Sequence, residues 1–280
     1  MSRSSPGVGR VAAILNFIAD HPGQAFALTD LVRALKLSRA TCHALLTGLV
    51  DVGYLYRTSD KTYVLGPALV AIGRTAADHF SPLQVAQPEM RSLADDFDVV
   101  CGAYFLEGDT VHLRDRAASV SHVGYPIPLG TRMTLRSAQA IPFYAGAPKD
   151  AEAWLARTSP KPTEDEAALM FQAMEFTRQH GFAALVRRSG TLDWLNRQDD
   201  SFVPPSDSED LPVKPIVDIA PGRQHPVAAL LAPVTDGAGK VQFMLVMAGF
   251  NAPMSGEQVM AAGERLAAAC RRISAFLSAR

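Results

Sequence analysis

The chain has 280 residues, 48% of them hydrophobic and 20% charged, with a formal net charge of −1. That is too long for one small helical module and suits two packed units of unequal size, while three widely spaced cysteines (Cys42, Cys101, Cys270) argue against a disulfide framework or zinc knuckle. The start is not signal-like and no apolar run reaches about 18 residues, so a cytoplasmic protein with no membrane partner is expected.

Residues 1–80 carry eight Lys/Arg against five Asp/Glu, and the remainder carries 19 against 23. The sign of that split suits an N-terminal nucleic-acid module beside an acidic sensor. Val8, Val11, Ile14, Leu15 and Ile18 recur at helical spacing, and His21-Pro22-Gly23 ends that helix. Leu28, Leu31, Val32 and Leu35 mark a second helix, opened by Ala27 or Thr29 and broken at Lys36-Leu37. Ser38 is then a good N-cap for a third helix, whose inward stripe is Cys42, Leu45, Leu46, Leu49 and Val50 and whose stop is Gly53.

Two short amphipathic helices after a packing helix form a helix-turn-helix pattern. The outward face of the third helix holds Arg39, Ala40, His43, Ala44 and Thr47. These side chains are small or hydrogen-bonding and none is acidic, as entry into a major groove requires. A merely solvated face would carry Glu–Lys pairs. Tyr54 to Arg57 and Thr62 to Leu65 are β-prone around a Thr58-Ser59-Asp60-Lys61 turn, giving a wing that holds Arg57 and Lys61 near phosphates.

The stretch LTDLVRALKLSRATCHALLTGLVDVGYLYRTSDKTYVLG resembles the winged helix of the isocitrate-lyase-regulator (IclR) family of bacterial transcription factors. Leu37-Ser38-Arg39, Thr41, His43, Leu45-Leu46, Leu49, Gly53-Tyr54 and Tyr63-Val64-Leu65-Gly66 carry the likeness. It implies a winged helix-turn-helix over residues 1–66, with Ser38 and Thr41 joining the DNA-contacting set. The chain departs from the family at Ala44, where an arginine is usual.

Residues 67–80 read as a linker helix of small and short aliphatic residues, opened by Pro67. In the family this connector holds the dimer together. Residues 81–280 read as an effector-binding and oligomerisation domain. Its first helix carries Leu83, Ala86, Met90, Leu93, Ala94 and Phe97, with a kink or fresh start at Pro88. Strands follow at 99–106 and 110–113 around Gly108-Asp109, then at 227–234 and 241–247. Ser255-Gly256-Glu257-Gln258 opens a closing helix. Helices flanking a mostly antiparallel sheet give an α+β class.

VHLRDRAAS, GTRMTLRSAQAIPFYAG and LAPVTDGAGKVQFMLVMAG resemble the family's effector domain, which is similar to GAF domains. The likeness implies a pocket at a helix start, with Ser137, Ala138 and Gln139 offering N–H groups to a carboxylate. Cys101, Tyr104 and His112 from facing strands, together with Arg132, complete that expectation. Val246 and Ala248 stand where members that bind small polar acids place serines, which favours an acid with an apolar part, such as an aromatic acid. Ile141 and Pro142 replace the usual Gly-Lys. The proline-rich stretch 187–226 reads either as a lid bringing Arg188, Trp194 or Arg223 to the ligand or as a surface insertion.

No GxSxG, HExxH, Walker loop or strand-borne GxGxxG is present, so no enzyme and no cofactor is expected. The reading is a ligand-responsive regulator that binds a palindromic double-stranded DNA operator as a dimer or a dimer of dimers. Two alternatives stay open: a degenerate sensor acting constitutively, and a metal-responsive regulator using Cys101, His112 and His122.

Overall fold

The computed structural model describes residues 5–21, 23–79, 81–122, 127–159, 161–188 and 213–278. The first helix, α1 (Pro6–Ala19), starts on a proline whose missing N–H costs nothing in a first turn. Ile14, Phe17 and Ile18 are its buried side, while Val8, expected in the stripe, is 67% exposed. A two-residue strand β1 (Phe26–Ala27) leads into α2 (Leu28–Leu35), where the Asp30 carboxylate accepts the Ala27 N–H at 3.0 Å. Lys36 then takes the left-handed conformation (φ 46°), turning the chain into α3 (Arg39–Asp51). Gly53 (φ 74°) ends that turn, and β2 (Leu55–Arg57) and β3 (Thr62–Leu65) form the wing, with β3 between β1 and β2. Ile14, Leu31, Cys42, Leu46, Leu55 and Tyr63 form a core separate from the rest of the chain.

The linker is α4 (Ala68–His79). It is followed by α5 (Ser81–Phe97), which runs through Pro88 without restarting. A seven-stranded antiparallel sheet comes next, in the order β6-β5-β4-β11-β10-β7-β8. Its strands are β4 (Val100–Glu107), β5 (Thr110–Ala118), β6 (Arg132–Thr134), β7 (Ala183–Arg187), β8 (Val213–Ile216), β10 (Val227–Thr235) and β11 (Val241–Ala248). A small pair, β9 (Gln224–His225) with β12 (Met254–Ser255), precedes α9 (Gly256–Ser278). The expected capping box at the start of α9 forms: the Ser255 N–H donates to Gln258 Oε1 at 2.8 Å, and the Gln258 N–H donates to Ser255 Oγ at 3.3 Å.

Because strand side chains alternate, the sheet buries two cores. One face packs on α5 and α9 through residues such as Cys101, Ala103, Leu245, Met247, Leu266 and Cys270. The other face packs on α6 (Ser137–Tyr144), α7 (Pro148–Arg157) and α8 (Glu164–His180) through Tyr104, Leu113, Ile141, Trp154, Met174 and Met244. This is the expected α+β architecture, a winged helix-turn-helix followed by a linker helix and a GAF-like unit. The expectation of little regular structure across 187–226 is corrected at Val213–Ile216 and Gln224–His225. Pro215 is tolerated there because β8 is an edge strand.

Candidate DNA-reading face and ligand cavity

In α3 the Ser38 hydroxyl accepts the Thr41 N–H at 3.1 Å and lies 2.8 Å from the Thr41 hydroxyl. Both residues, expected to touch DNA, therefore serve first as the helix cap. Cys42, Leu46 and Leu49 fix the inward side. Arg39, Ala40, His43, Ala44 and Thr47 are all exposed, as is Gly48, which the sequence reading did not single out. The Thr47 hydroxyl donates to the His43 carbonyl at 3.0 Å, so its donor is used within the helix. That leaves Arg39 and His43 as the side chains on this face with donors to offer. On the wing, the Arg57 guanidinium lies 6.0 Å from the Tyr63 ring centroid, and Lys61 sits at the hairpin turn with φ 61°.

The effector-site expectation is rearranged. Cys101 is fully buried on the α5/α9 side of the sheet, whereas Tyr104 faces the α6 side, because an odd separation along a strand reverses the face. His112 pairs with Phe105 and Arg132 in register and lies 3.5 Å from Glu107. Burial, followed by the Arg132 charge, pushes its imidazole below the ordinary histidine range. Cys101, Tyr104 and His112 thus do not converge, and Arg132 is exposed on the edge strand β6. Val246 and Ala248 lie in the sheet on the α6 side but do not border the cavity described next. The Gln139 side chain accepts the Arg136 N–H at 3.3 Å and so caps its own helix. Trp194 lies outside the described residues. Among the described residues, no three His, Cys, Asp or Glu side chains are grouped to hold a metal ion.

Ser137 and Ala138 do border a cavity, of about 230 Å³, between the start of α6, α7, the start of α8 and β8. Among the described residues, four cationic ones line it, Arg136, Lys161, Arg188 and Lys214, together with the carboxylate of Glu166. Glu166 is held on two sides: Oε1 accepts from Arg188 at 2.8 Å and Oε2 accepts the Thr163 N–H at 3.0 Å. The Arg188 hydrogen bond, then that N–H, hold its carboxyl below the ordinary range. Leu135, Trp154, Met170 and Val213 supply apolar wall. Pro142 lies inside α6 and has no N–H to offer the Ala138 carbonyl four residues back, yet the helix still begins at Ser137. Of the cationic set only Arg188 was singled out in the sequence. The Thr163-x-x-Glu166 capping box was a legible signal for this corner.

Residues 7–59 match the IclR helix-turn-helix domain family. Over 147 residues the chain is 23% identical to the HTH-type transcriptional regulator KipR of Bacillus subtilis, covering 52% of this chain and 55% of KipR, so the match spans about half of that relative. Among solved structures, the IclR transcriptional regulator from Alicyclobacillus acidocaldarius superposes with a TM-score of 0.51 at 18% identity, covering 99% of this chain and 100% of that one. Thermotoga maritima IclR superposes with a TM-score of 0.51 at 16% identity, covering 96% of this chain and 98% of that one. These likenesses show a shared fold along the whole chain, and its N-terminal unit is an IclR-type helix-turn-helix domain.

Proposed function

We propose that this IclR-type chain is a ligand-responsive transcriptional regulator that binds a palindromic operator as a dimer or tetramer and senses a small organic acid. The observation that carries the reading is the exposed, acid-free run of α3 from Arg39 to Gly48, held by a Ser38 cap and a buried stripe. Arg39 takes a guanine edge, His43 offers a second donor, and the wing residues Arg57 and Lys61 meet phosphates. In this reading residues 1–66 read DNA, 67–80 link, and 81–280 sense and oligomerise.

Exposed apolar side chains at the linker support self-association: Val70 is 52% and Ile72 50% exposed, beside Tyr56 at 59%. A second copy covering them places two reading helices on related half-sites. The cavity supports a small acid ligand, since the charged side chains among its described lining residues are mostly cationic and its volume falls below the usual range of about 300–1,000 Å³ for drug-sized ligands.

The test is retention of the full chain on double-stranded DNA across a salt series. Binding that weakens steeply with salt is expected. Absence of retention at low salt overturns the reading.

A further inference from the structure

We propose that the half-site entered by α3 carries thymines recognised through their C5 methyl groups, by Ala40, Ala44 and Thr47, and that Gly48 admits the duplex at close range. The inference rests on the DNA-binding reading above and names what that face recognises.

The exposed face of α3 is poor in donors and rich in methyls. Ala40 and Ala44 are exposed and each offers one methyl. The Thr47 hydroxyl donates to the His43 carbonyl at 3.0 Å, which leaves the methyl as the part of this exposed side chain open to a partner. A methyl has no hydrogen bond to give or take. In a major groove its match is the C5 methyl of thymine, the apolar group presented there. Residues 40, 44 and 47 share one side of a helix that rises about 1.5 Å per residue. Their methyls therefore span about 10 Å, or about three base pairs at about 3.4 Å each.

Gly48 is a second and independent sign. It lies inside α3, where glycine is less favourable than alanine. Its φ is not in the left-handed range, and a Cβ built on it has no other atom of the described chain within 4 Å. The fold thus gives no reason for a glycine at this exposed position. A duplex pressed against the helix does, because the missing side chain lets the backbone approach the groove floor.

The full-length protein is used to select duplexes from a randomised double-stranded library, and the selected half-site is then remade with deoxyuridine replacing each thymine in turn. Deoxyuridine pairs as thymine does and lacks only the methyl. At two or more thymines within about four successive base pairs, the replacement is expected to weaken binding about three- to fivefold, as loss of one buried methyl contact implies. Thr47→Ser keeps the hydroxyl and loses the methyl, and Ala44→Gly loses its methyl. Each is expected to abolish the deoxyuridine penalty at one position and leave the others. Gly48→Ala is expected to raise the melting temperature yet weaken binding about fivefold or more, as overpacking by one methyl implies. Selected duplexes that tolerate deoxyuridine at every position overturn the inference and leave a DNA-binding regulator standing. Penalties that persist unchanged in both methyl-loss variants, or a Gly48→Ala protein that binds as its parent does, also overturn it. If no duplex is enriched, the DNA-binding reading falls and takes this inference with it.

Discussion

The Arg116 guanidinium donates to the Asp20 carboxylate at 2.5 Å, and their side chains are only 9% and 10% exposed. Asp20 caps the C-terminal end of α1, and Arg116 lies on β5 of the large sheet, so one buried ion pair joins the winged-helix unit to the seven-stranded sheet. Arg116 also donates to the Ile127 carbonyl at 2.5 Å, and Arg91 reaches the Asp20 carbonyl at 3.5 Å. Asp115 sits beside this pair, its carboxyl pushed above the ordinary range by burial foremost and by the Asp20 charge in lesser part. Asp20→Ala leaves a buried guanidinium without its counter-charge, and the expected cost is about 3–5 kcal/mol. The double variant Asp20→Ala/Arg116→Met is expected to recover much of that loss, because no charge then remains to be desolvated. Urea midpoints of the three proteins decide; equal losses for single and double variants contradict the account.

On DNA, Arg39→Ala and Lys61→Ala are expected to fail differently. Arg39 is exposed near the start of α3, and under the proposed reading it contacts a base edge, so its loss is expected to weaken binding to the preferred sequence by about 1–3 kcal/mol and to relax preference at one position. Lys61 belongs to the wing turn, and under the proposed reading it contacts phosphate, so its loss is expected to weaken binding to all sequences alike and to lower the salt slope by about 1. Gel-shift titrations at four salt concentrations separate the two patterns. A change of salt slope without loss of preference in Arg39→Ala assigns it to the backbone instead.

These contrasts mark what was readable in the chain. The α3 face was legible because cap, stripe and exposed residues lie within about four turns of one helix, a local relationship that spacing reports directly. The β4–β5 hairpin was legible through Gly108, which takes φ 60°, and α9 through the Ser255–Gln258 pair. The cavity was not, because Arg136, Lys161, Arg188 and Lys214 come together only through the strand order that sets β8 beside β7 and α8 against α6. Grouping Cys101 with Tyr104 failed for a simpler reason: residues three apart on a strand face opposite ways. In β5, Arg114 is an extra residue, so Asp115 pairs with Ala103 and Leu113 with Tyr104, a shift that no alternation pattern announces.

Glu166 ties stability to acidity at the cavity. Its folded carboxyl titrates below the ordinary glutamate value, so its pairing stabilises the fold above that ordinary value and is lost as pH falls through the depressed one. Glu166→Gln keeps an N3 side chain able to complete the capping box while removing the charge. The variant is expected to show a flatter decline of melting temperature below about pH 4.5 than the parent. Because Glu166 is about a third exposed, solvent screening keeps the effect small, and matched buffers at constant ionic strength are needed to read it. Identical acid limbs in the two proteins exclude this contribution.

The α9 helix meets the sheet at a point where one hydrogen atom is the limit. A Cβ built on Gly263 falls 2.2 Å from the Phe182 ring, and Phe182, just before β7, is fully buried. The ring also makes T-shaped contact with Phe176 of α8 at 5.5 Å between centroids, which limits its room to yield. Gly263→Ala is favourable for an isolated helix by about 1 kcal/mol, since alanine has the higher helix propensity. Overpacking against an immobile ring costs about 1–3 kcal/mol and opposes that gain. The net expectation is a lower melting temperature for Gly263→Ala, and a rise when Phe182→Leu is added to make room. If Gly263→Ala alone raises the melting temperature, helix propensity outweighs the clash and α9 shifts freely against the sheet.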